Sequence, residues 1–156
     1  MMKAKDFLKQ VEKWDKMINN KLIERKQWKD IACNTTAGSK SILINGEQHS
    51  MDRVQTSGNQ QKMADAIVKY VDIEEEINQC INELYEAKKA VLGVIEQLEA
   101  DEYDLLHKVY IQHLPLWDAA EVSNKSYTWA KSVHGRALQK VQNILDEKAA
   151  TELTRN

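Results

Sequence analysis

Apolar side chains near the start of the chain recur every three or four residues, the spacing of one face of an α-helix. The stripe consists of Phe7, Val11, Trp14, Ile18 and Leu22, and Trp28 and Ile31 continue it. The remaining faces are rich in lysine. This pattern predicts a first helix near residues 3–32.

A longer and more regular pattern follows in the middle of the chain. Its 4-3-4-3 spacing is a heptad repeat, which is typical of a coiled coil. The positions are Met63, Ile67, Tyr70, Glu74, Ile77, Ile81, Leu84, Lys88, Val91, Ile95 and Leu98. The repeat predicts a helix near 60–98 with Ile77, Ile81, Leu84 and Val91 buried. Glu74 and Lys88 interrupt the seam, where charged residues fix register and choice of partner.

Two different helices could pack against this heptad seam. The first helix can fold back antiparallel, since residues 3–30 carry nine Lys/Arg against five Asp/Glu and residues 60–100 carry four against nine. In that arrangement Arg25 comes near Glu74. The other candidate is a second copy of the chain, and a homodimer is expected because the long seam exceeds what a shorter first helix covers. Both can apply.

The segment between the two long helices lacks helical periodicity. Residues 33–59 are rich in Gly, Asn, Ser and Thr, which predicts a flexible loop. The alternative is a short hairpin, because residues 42–44 are apolar and Asn45-Gly46 follows them.

Three shorter helices are predicted after residue 100, near 102–113, 115–122 and 126–147. Pro115 suits a helix start, Asn124 suits a left-handed turn, and Ser126 suits an N-cap. The apolar face of the last helix consists of Ala130, Val133, Ala137, Leu138, Val141 and Leu145. The predicted fold class is thus all-α, with a helical region over 1–100, a second domain over 101–150 and a frayed tail over 151–156.

Composition narrows the class of protein. No apolar run reaches the roughly 20 residues of a membrane span. The two cysteines, Cys33 and Cys80, are expected to be reduced, as in a cytoplasmic protein. The four histidines are scattered and no phosphate-binding loop is present, so neither a metal, a cofactor nor an enzymatic activity is expected.

The last two helices have the form of a DNA-binding helix-turn-helix, in which the first turns of the second helix reach base edges in the major groove. A small helical bundle with the same spacing is the alternative. Residues 125–156 carry six Lys/Arg against three Asp/Glu, which favours contact with phosphates. The candidate DNA-binding residues are Lys125, Ser126, Tyr127, Thr128, Lys131, Ser132, Arg136 and Lys140.

Several segments resemble a known family. The runs Leu106–Ile111, Ala119–Glu121, Ser126–Ala130 and Val133–Leu138 resemble region four of bacterial sigma factors. Together with the heptad segment Met63–Ile77, they are similar to phage and prophage proteins of Gram-positive bacteria related to the ArpU and RinA late-gene regulators. That resemblance implies a phage-encoded, sequence-specific regulator of transcription in the bacterial host cytoplasm. Its partners would be double-stranded DNA and, as a further candidate, RNA polymerase.

Two other functions fit the same pattern. One is a coiled-coil adaptor, or inhibitor of a host factor, in which the sigma-like fold binds protein. The other is the recognition subunit of a DNA-packaging machine, since such phage proteins also combine a helix-turn-helix with helical oligomerisation.

Overall fold

The computed structural model describes residues 2–36, 41–44, 47–50 and 57–154. Within these ranges the fold is all-helical apart from one two-stranded hairpin, which confirms the predicted class and the five helices. None of the described helices is long and apolar enough to cross a membrane. The helices are α1 (Ala4–Thr36), α2 (Ser57–Ile95), α3 (Ala100–Leu106), α4 (Leu116–Val122) and α5 (Tyr127–Leu153).

The helix ends differ from the predicted ones by a few residues. α1 continues to Thr36 and α2 already begins at Ser57, so both enter the segment that was predicted to be a loop. α5 continues to Leu153, past its predicted end and into the tail that was predicted to fray. Residues 155–156 of that tail lie outside the described residues.

The segment between α1 and α2 contains the hairpin that the sequence offered as an alternative. Strand β1 (Ser41–Ile44) pairs antiparallel with β2 (Glu47–Ser50), with Ile44 opposite Glu47. Asn45 and Gly46, which motivated that reading, lie outside the described residues, as do 37–40 and 51–56 of the expected flexible loop.

The chain forms two compact units, which we call the middle unit (Ile18–Gln79) and the terminal unit (Met1–Met17 with Cys80–Asn156). In the middle unit, α1 and α2 run antiparallel. Arg25 Nη1 lies 3.3 Å from Glu74 Oε1, and Lys21 pairs with Glu76. The predicted fold-back of the first helix, with Arg25 near Glu74, is therefore confirmed.

One of the two sets of core positions predicted for α2 differs from the set that the structure buries. Ile77 and Val91 are buried and Leu84 is half-buried, as expected, but Ile81 is 47% exposed, so its predicted burial is wrong. At the first four positions of the second predicted set, the buried residue lies one position earlier than predicted, at Ala66, Ile73, Cys80 and Ala87. At the last position both Val94 and the predicted Ile95 are buried.

The physical reason is the cost of burying charge. The predicted second set and the observed second set both lie three or four residues along the helix from the core positions on which prediction and structure agree. Spacing alone therefore does not distinguish the two sets. The predicted set would bury Glu74 and Lys88, whereas the observed set places Ile73 and Ala87 in the core. Since burying a charge without a partner is far more costly than burying a small apolar side chain, α2 is rotated toward the second set.

The terminal unit packs the start of α1, the end of α2, α3 and α5 around one core. This core includes Leu8, Val11, Val91, Ile95, Leu106, Tyr110, Ala137 and Val141. α3 continues as a π-helical turn, His107–Ile111, in which Gln112 N donates to His107 O at 3.1 Å. His113 then adopts a left-handed backbone, with φ of 58°, and its Nε2 lies 2.6 Å from Asp15 Oδ2 on α1.

The corrected seam leads to a stability prediction. Ile77→Ala removes a buried side chain and should cost about 2–5 kcal/mol of unfolding free energy. Ile81→Ala removes an exposed one and should change it by less than about 0.5 kcal/mol. Urea unfolding followed by circular dichroism, in dilute solution, measures both. Equal losses in the two variants would contradict the observed rotation of α2.

Candidate functional site

A tight turn of four residues, 123–126, joins α4 to α5. Asn124 has a φ of 53°, the left-handed conformation that its side chain tolerates and that the sequence predicted. Lys125 N then donates to Ala120 O at 2.9 Å. Ser126 caps α5, since its Oγ accepts from Trp129 N at 3.1 Å, which confirms the predicted N-cap. The turn thus fixes where α5 begins.

The start of α5 rests on a second small core. Its buried members are Leu105, Ala119, Ala120, Ala130 and Val133. Three of these five are alanines, and such small side chains let α4 approach α5 closely. Trp129 is half-buried against this core rather than pointing into solvent. The first turns of α5 are therefore held on a packed platform formed by α3 and α4.

Six of the eight candidate residues lie together on the exposed side of this platform. They are Lys125, Ser126, Tyr127, Thr128, Lys131 and Ser132, and every one is exposed. Lys131 Nζ lies 4.6 Å from the centroid of the Tyr127 ring, and Lys125 Nζ lies 5.6 Å from that of Trp129. Within the described residues, neither lysine forms an ion pair with a carboxylate. The positive charge of this face is thus available to an anionic partner.

The other two candidates, Arg136 and Lys140, have a carboxylate partner inside the protein. Glu102 on α3 is fully buried. Its Oε1 accepts from Arg136 Nε at 3.0 Å and lies 2.9 Å from Lys140 Nζ, while its Oε2 accepts from the backbone N of Glu99 at 3.3 Å. Lys140 also donates to Glu99 Oε1 at 2.9 Å. We call this set of groups the Glu102 cluster.

The Glu102 cluster keeps a buried carboxylate ionised. Burial by itself raises the pKa of Glu102, but the hydrogen bonds from Lys140 and Arg136 outweigh it and hold the pKa below the ordinary value of 4.5. The same contacts raise the pKa of Lys140, chiefly through its hydrogen bond to Glu99. The charges of Arg136 and Lys140 are therefore largely compensated within α3 and α5.

The sequence contains one signal for this cluster. Glu102 occupies the same helical face as the apolar residues Leu105, Leu106 and Val109, an unusual place for a carboxylate. Glu99 and Glu102 also form a capping box at the start of α3. A carboxylate on an apolar face indicates a hydrogen-bond donor or a partner of opposite charge elsewhere in the fold.

His134 and Gly135 follow the exposed face along α5. The His134 ring stacks on Tyr110 with centroids 5.9 Å apart, and its Nε2 lies 3.0 Å from the Tyr110 hydroxyl. Burial lowers the pKa of His134 and raises that of Tyr110 to about 12. Gly135 is exposed, and a Cβ at this position would meet no atom within 4 Å. Packing inside the chain therefore does not require glycine there.

Residues 43–142 match the family described as Protein of unknown function (DUF1492). The chain belongs to this family. The match includes α2, α3, α4 and α5 as far as residue 142, and so contains all eight candidate residues and Glu102. No curated protein and no solved structure matches the chain. In the described part of this DUF1492 member, no group of three or more His, Cys, Asp or Glu side chains could hold a metal ion.

The Glu102 cluster leads to a second stability prediction. Glu102→Gln keeps the shape but loses the charge-assisted hydrogen bonds, and should cost about 1.5–3 kcal/mol at pH 7. Glu99→Gln is the matched control, because exposed Glu99 shares Lys140 and should cost less than about 1 kcal/mol.

The stabilisation that Glu102 provides should be lost at low pH. Because the pKa of Glu102 is lower in the folded protein than its ordinary value of 4.5, the stabilisation is complete above that value and is lost as the pH falls through the folded pKa. The difference in unfolding free energy between wild type and Glu102→Gln, measured by urea unfolding, should therefore be smaller at pH 3 than at pH 7. If Glu102→Gln loses no unfolding free energy at pH 7, or loses only as much as Glu99→Gln, the Glu102 cluster does not stabilise the fold as proposed.

Proposed function

We propose that the chain is a sequence-specific, non-enzymatic regulator of transcription that binds double-stranded DNA through the start of α5. In this proposal it is encoded by a phage or prophage and acts in the cytoplasm of the bacterial host. The observation that carries the proposal is the exposed face of six polar and basic residues at the start of a capped helix, which rests on the packed platform of α3 and α4.

The geometry of α4 and α5 suits such a role. Two helices joined by a short turn can present the first turns of the second helix to the major groove. Tyr127, Thr128, Lys131 and Ser132 are exposed on those turns and carry groups that donate to or accept from base edges. Lys125 is exposed in the turn before them and in this proposal contacts a phosphate.

Gly135 gives independent support. Glycine within a helix costs about 1 kcal/mol relative to alanine, and no contact inside the described chain explains it. It lies one turn beyond Lys131 and Ser132 on the same exposed side of α5. A surface that must approach another molecule closely accounts for a residue without a side chain at this position.

Arg136 and Lys140 take a different role in this proposal. Because both are committed to the Glu102 cluster, their main effect on DNA is to hold the orientation of α5, and their direct contribution to phosphate binding is small. The basic contribution then comes mainly from Lys125 and Lys131, which implies modest affinity and a shallow salt dependence.

A protein partner is also part of the proposal, with RNA polymerase as the candidate. Trp117 and Val122 on α4 are exposed apolar residues, and Asp118 and Glu121 beside them are exposed or partly exposed acids. Like charge keeps such a surface away from phosphates. It suits contact with a protein instead, and the adaptor function would rest on this face if DNA binding failed.

The DNA proposal is tested by fluorescence anisotropy on duplexes selected from a random pool. Lys125→Ala should weaken binding to all duplexes about equally and reduce the salt slope by about 0.9. Thr128→Ala should cost about 1–3 kcal/mol on the selected site and leave non-specific binding nearly unchanged. Lys148→Ala is the matched control, since Lys148 is exposed on α5 about 25 Å beyond Lys131.

The control should bind as wild type does, and thermal melts of all three variants should remain close to wild type. If the purified chain binds no duplex at low salt, or if Lys125→Ala and Thr128→Ala behave as the control does, the DNA proposal fails. In that case the face formed by Trp117 and Val122 on α4 becomes the surface to test for a protein partner.

A further inference from the structure

We propose that three lysines of α1, namely Lys5, Lys9 and Lys13, contact phosphates of the same DNA duplex that the start of α5 reads. We call these three residues the lysine face. The inference rests on the proposed function and extends its DNA interface to a second helix of the terminal unit. Because the ligand is the sugar-phosphate backbone, the lysine face supplies affinity and orientation but no sequence preference.

The lysine face occupies one side of α1. Its members are four residues apart, so they lie on successive turns about 6 Å apart along the helix axis. All three are exposed, whereas Leu8 and Val11 on another side of the same turns are fully buried. The packing of α1 therefore leaves this row of positive charges in contact with solvent.

The acids near the lysine face are compensated by other residues. Glu12 Oε1 lies 2.5 Å from Lys16 Nζ, and Asp15 Oδ2 lies 2.6 Å from His113 Nε2. Asp6 lies in the first turn of α1, where the helix dipole favours a carboxylate. In the described part of the chain, the three lysines form no ion pair with a carboxylate. Their charge is thus available to an anionic ligand.

The start of α1 is held against α5 within the terminal unit. Ala4 N donates to Gln142 Oε1 at 2.7 Å, and Gln142 Nε2 donates to Met2 O at 3.4 Å. One turn further along α1, Leu8 and Val11 lie in the same core as the buried side chains of the middle of α5. The lysine face therefore has a fixed place beside α5.

His134 on α5 connects the lysine face to the proposed DNA-reading surface. Burial and the positive charge of Lys5 both lower the pKa of His134, so the Lys5 ammonium is near enough to act on that ring. His134 lies three residues beyond Lys131, which is about 4.5 Å along the helix axis, and directly before exposed Gly135. The lysine face thus begins beside the part of α5 that is proposed to enter the major groove.

DNA geometry brings phosphates to this position. Packed helices lie about 8–10 Å apart, and the major groove is only about 12 Å wide. A helix beside the one that enters the groove therefore reaches the phosphates at the groove edge. Each phosphate contact adds about 0.9 to the magnitude of the salt slope. Lys125 and Lys131 by themselves imply a slope of about 1.8, whereas the addition of the lysine face raises it to about 4.5.

The salt dependence of binding tests the inference. Fluorescence anisotropy is measured between about 50 and 200 mM salt, on the selected duplex and on an unrelated one. The double variant Lys5→Gln with Lys9→Gln should reduce the slope by about 1.8 and weaken binding to both duplexes by the same factor. The matched control is Lys89→Gln with Lys148→Gln, which removes the same charge from exposed lysines of α2 and α5 in the same unit. It should keep the wild-type slope.

Thermal melts of both double variants should match wild type, because the substituted side chains are exposed and glutamine suits a helix. A wild-type slope in the variant of Lys5 and Lys9, or an equal loss in the control, overturns the contact with phosphates. A changed preference between the two duplexes would overturn the restriction of this contact to the backbone.

The same assay separates this inference from the proposed function. If Lys125→Ala and Thr128→Ala weaken binding but the variant of Lys5 and Lys9 does not, the lysine face is wrong and the proposed role of α5 stands. If only the variant of Lys5 and Lys9 weakens binding, the lysine face binds DNA and the proposed role of α5 is refuted. Wild type that binds no duplex at low salt overturns both.

Discussion

The terminal unit depends on one buried carboxylate. A fully buried Glu102 is tolerable only while Arg136, Lys140 and the backbone of Glu99 satisfy it, because an uncompensated charge in the interior costs several kcal/mol. Those donors come from α5 and from the start of α3. Rotation or translation of α5 relative to α3 would break the cluster, so α5 has one orientation and its exposed face is fixed with it.

Local signals were sufficient to predict most of the fold. Helical periodicity placed the five helices, and the charge balance of the two long segments indicated the fold-back that brings Arg25 to Glu74. Asn124 and Ser126 were predictable because turn geometry and capping act within a few residues. The rotation of α2 was not, since two sets of core positions share the same spacing and only the burial cost of Glu74 and Lys88 separates them.

The features of the candidate site that depend on neighbouring residues could be predicted from the sequence. The contacts between residues that are distant in the sequence could not. Exposure at the start of α5 followed from amphipathicity and the cap. The pairing of Arg136 and Lys140 with Glu102 joins residues more than thirty positions apart, and basic residues near a helix-turn-helix are ordinarily assigned to phosphate. The sequence pattern therefore predicted that Arg136 and Lys140 lie on α5 but not that both pair with carboxylates of the same chain.

The π-helical turn at His107–Ile111 has a consequence for single-residue deletions. Its bond from Gln112 N to His107 O spans five residues instead of the usual four, so the helix accommodates an additional residue over the same length. Deleting a single residue in this turn would restore a regular helix while leaving Tyr103 and Leu114 near their present positions. Within the terminal unit, this turn is therefore a place where the loss of one residue should disturb the packing of the neighbouring helices least.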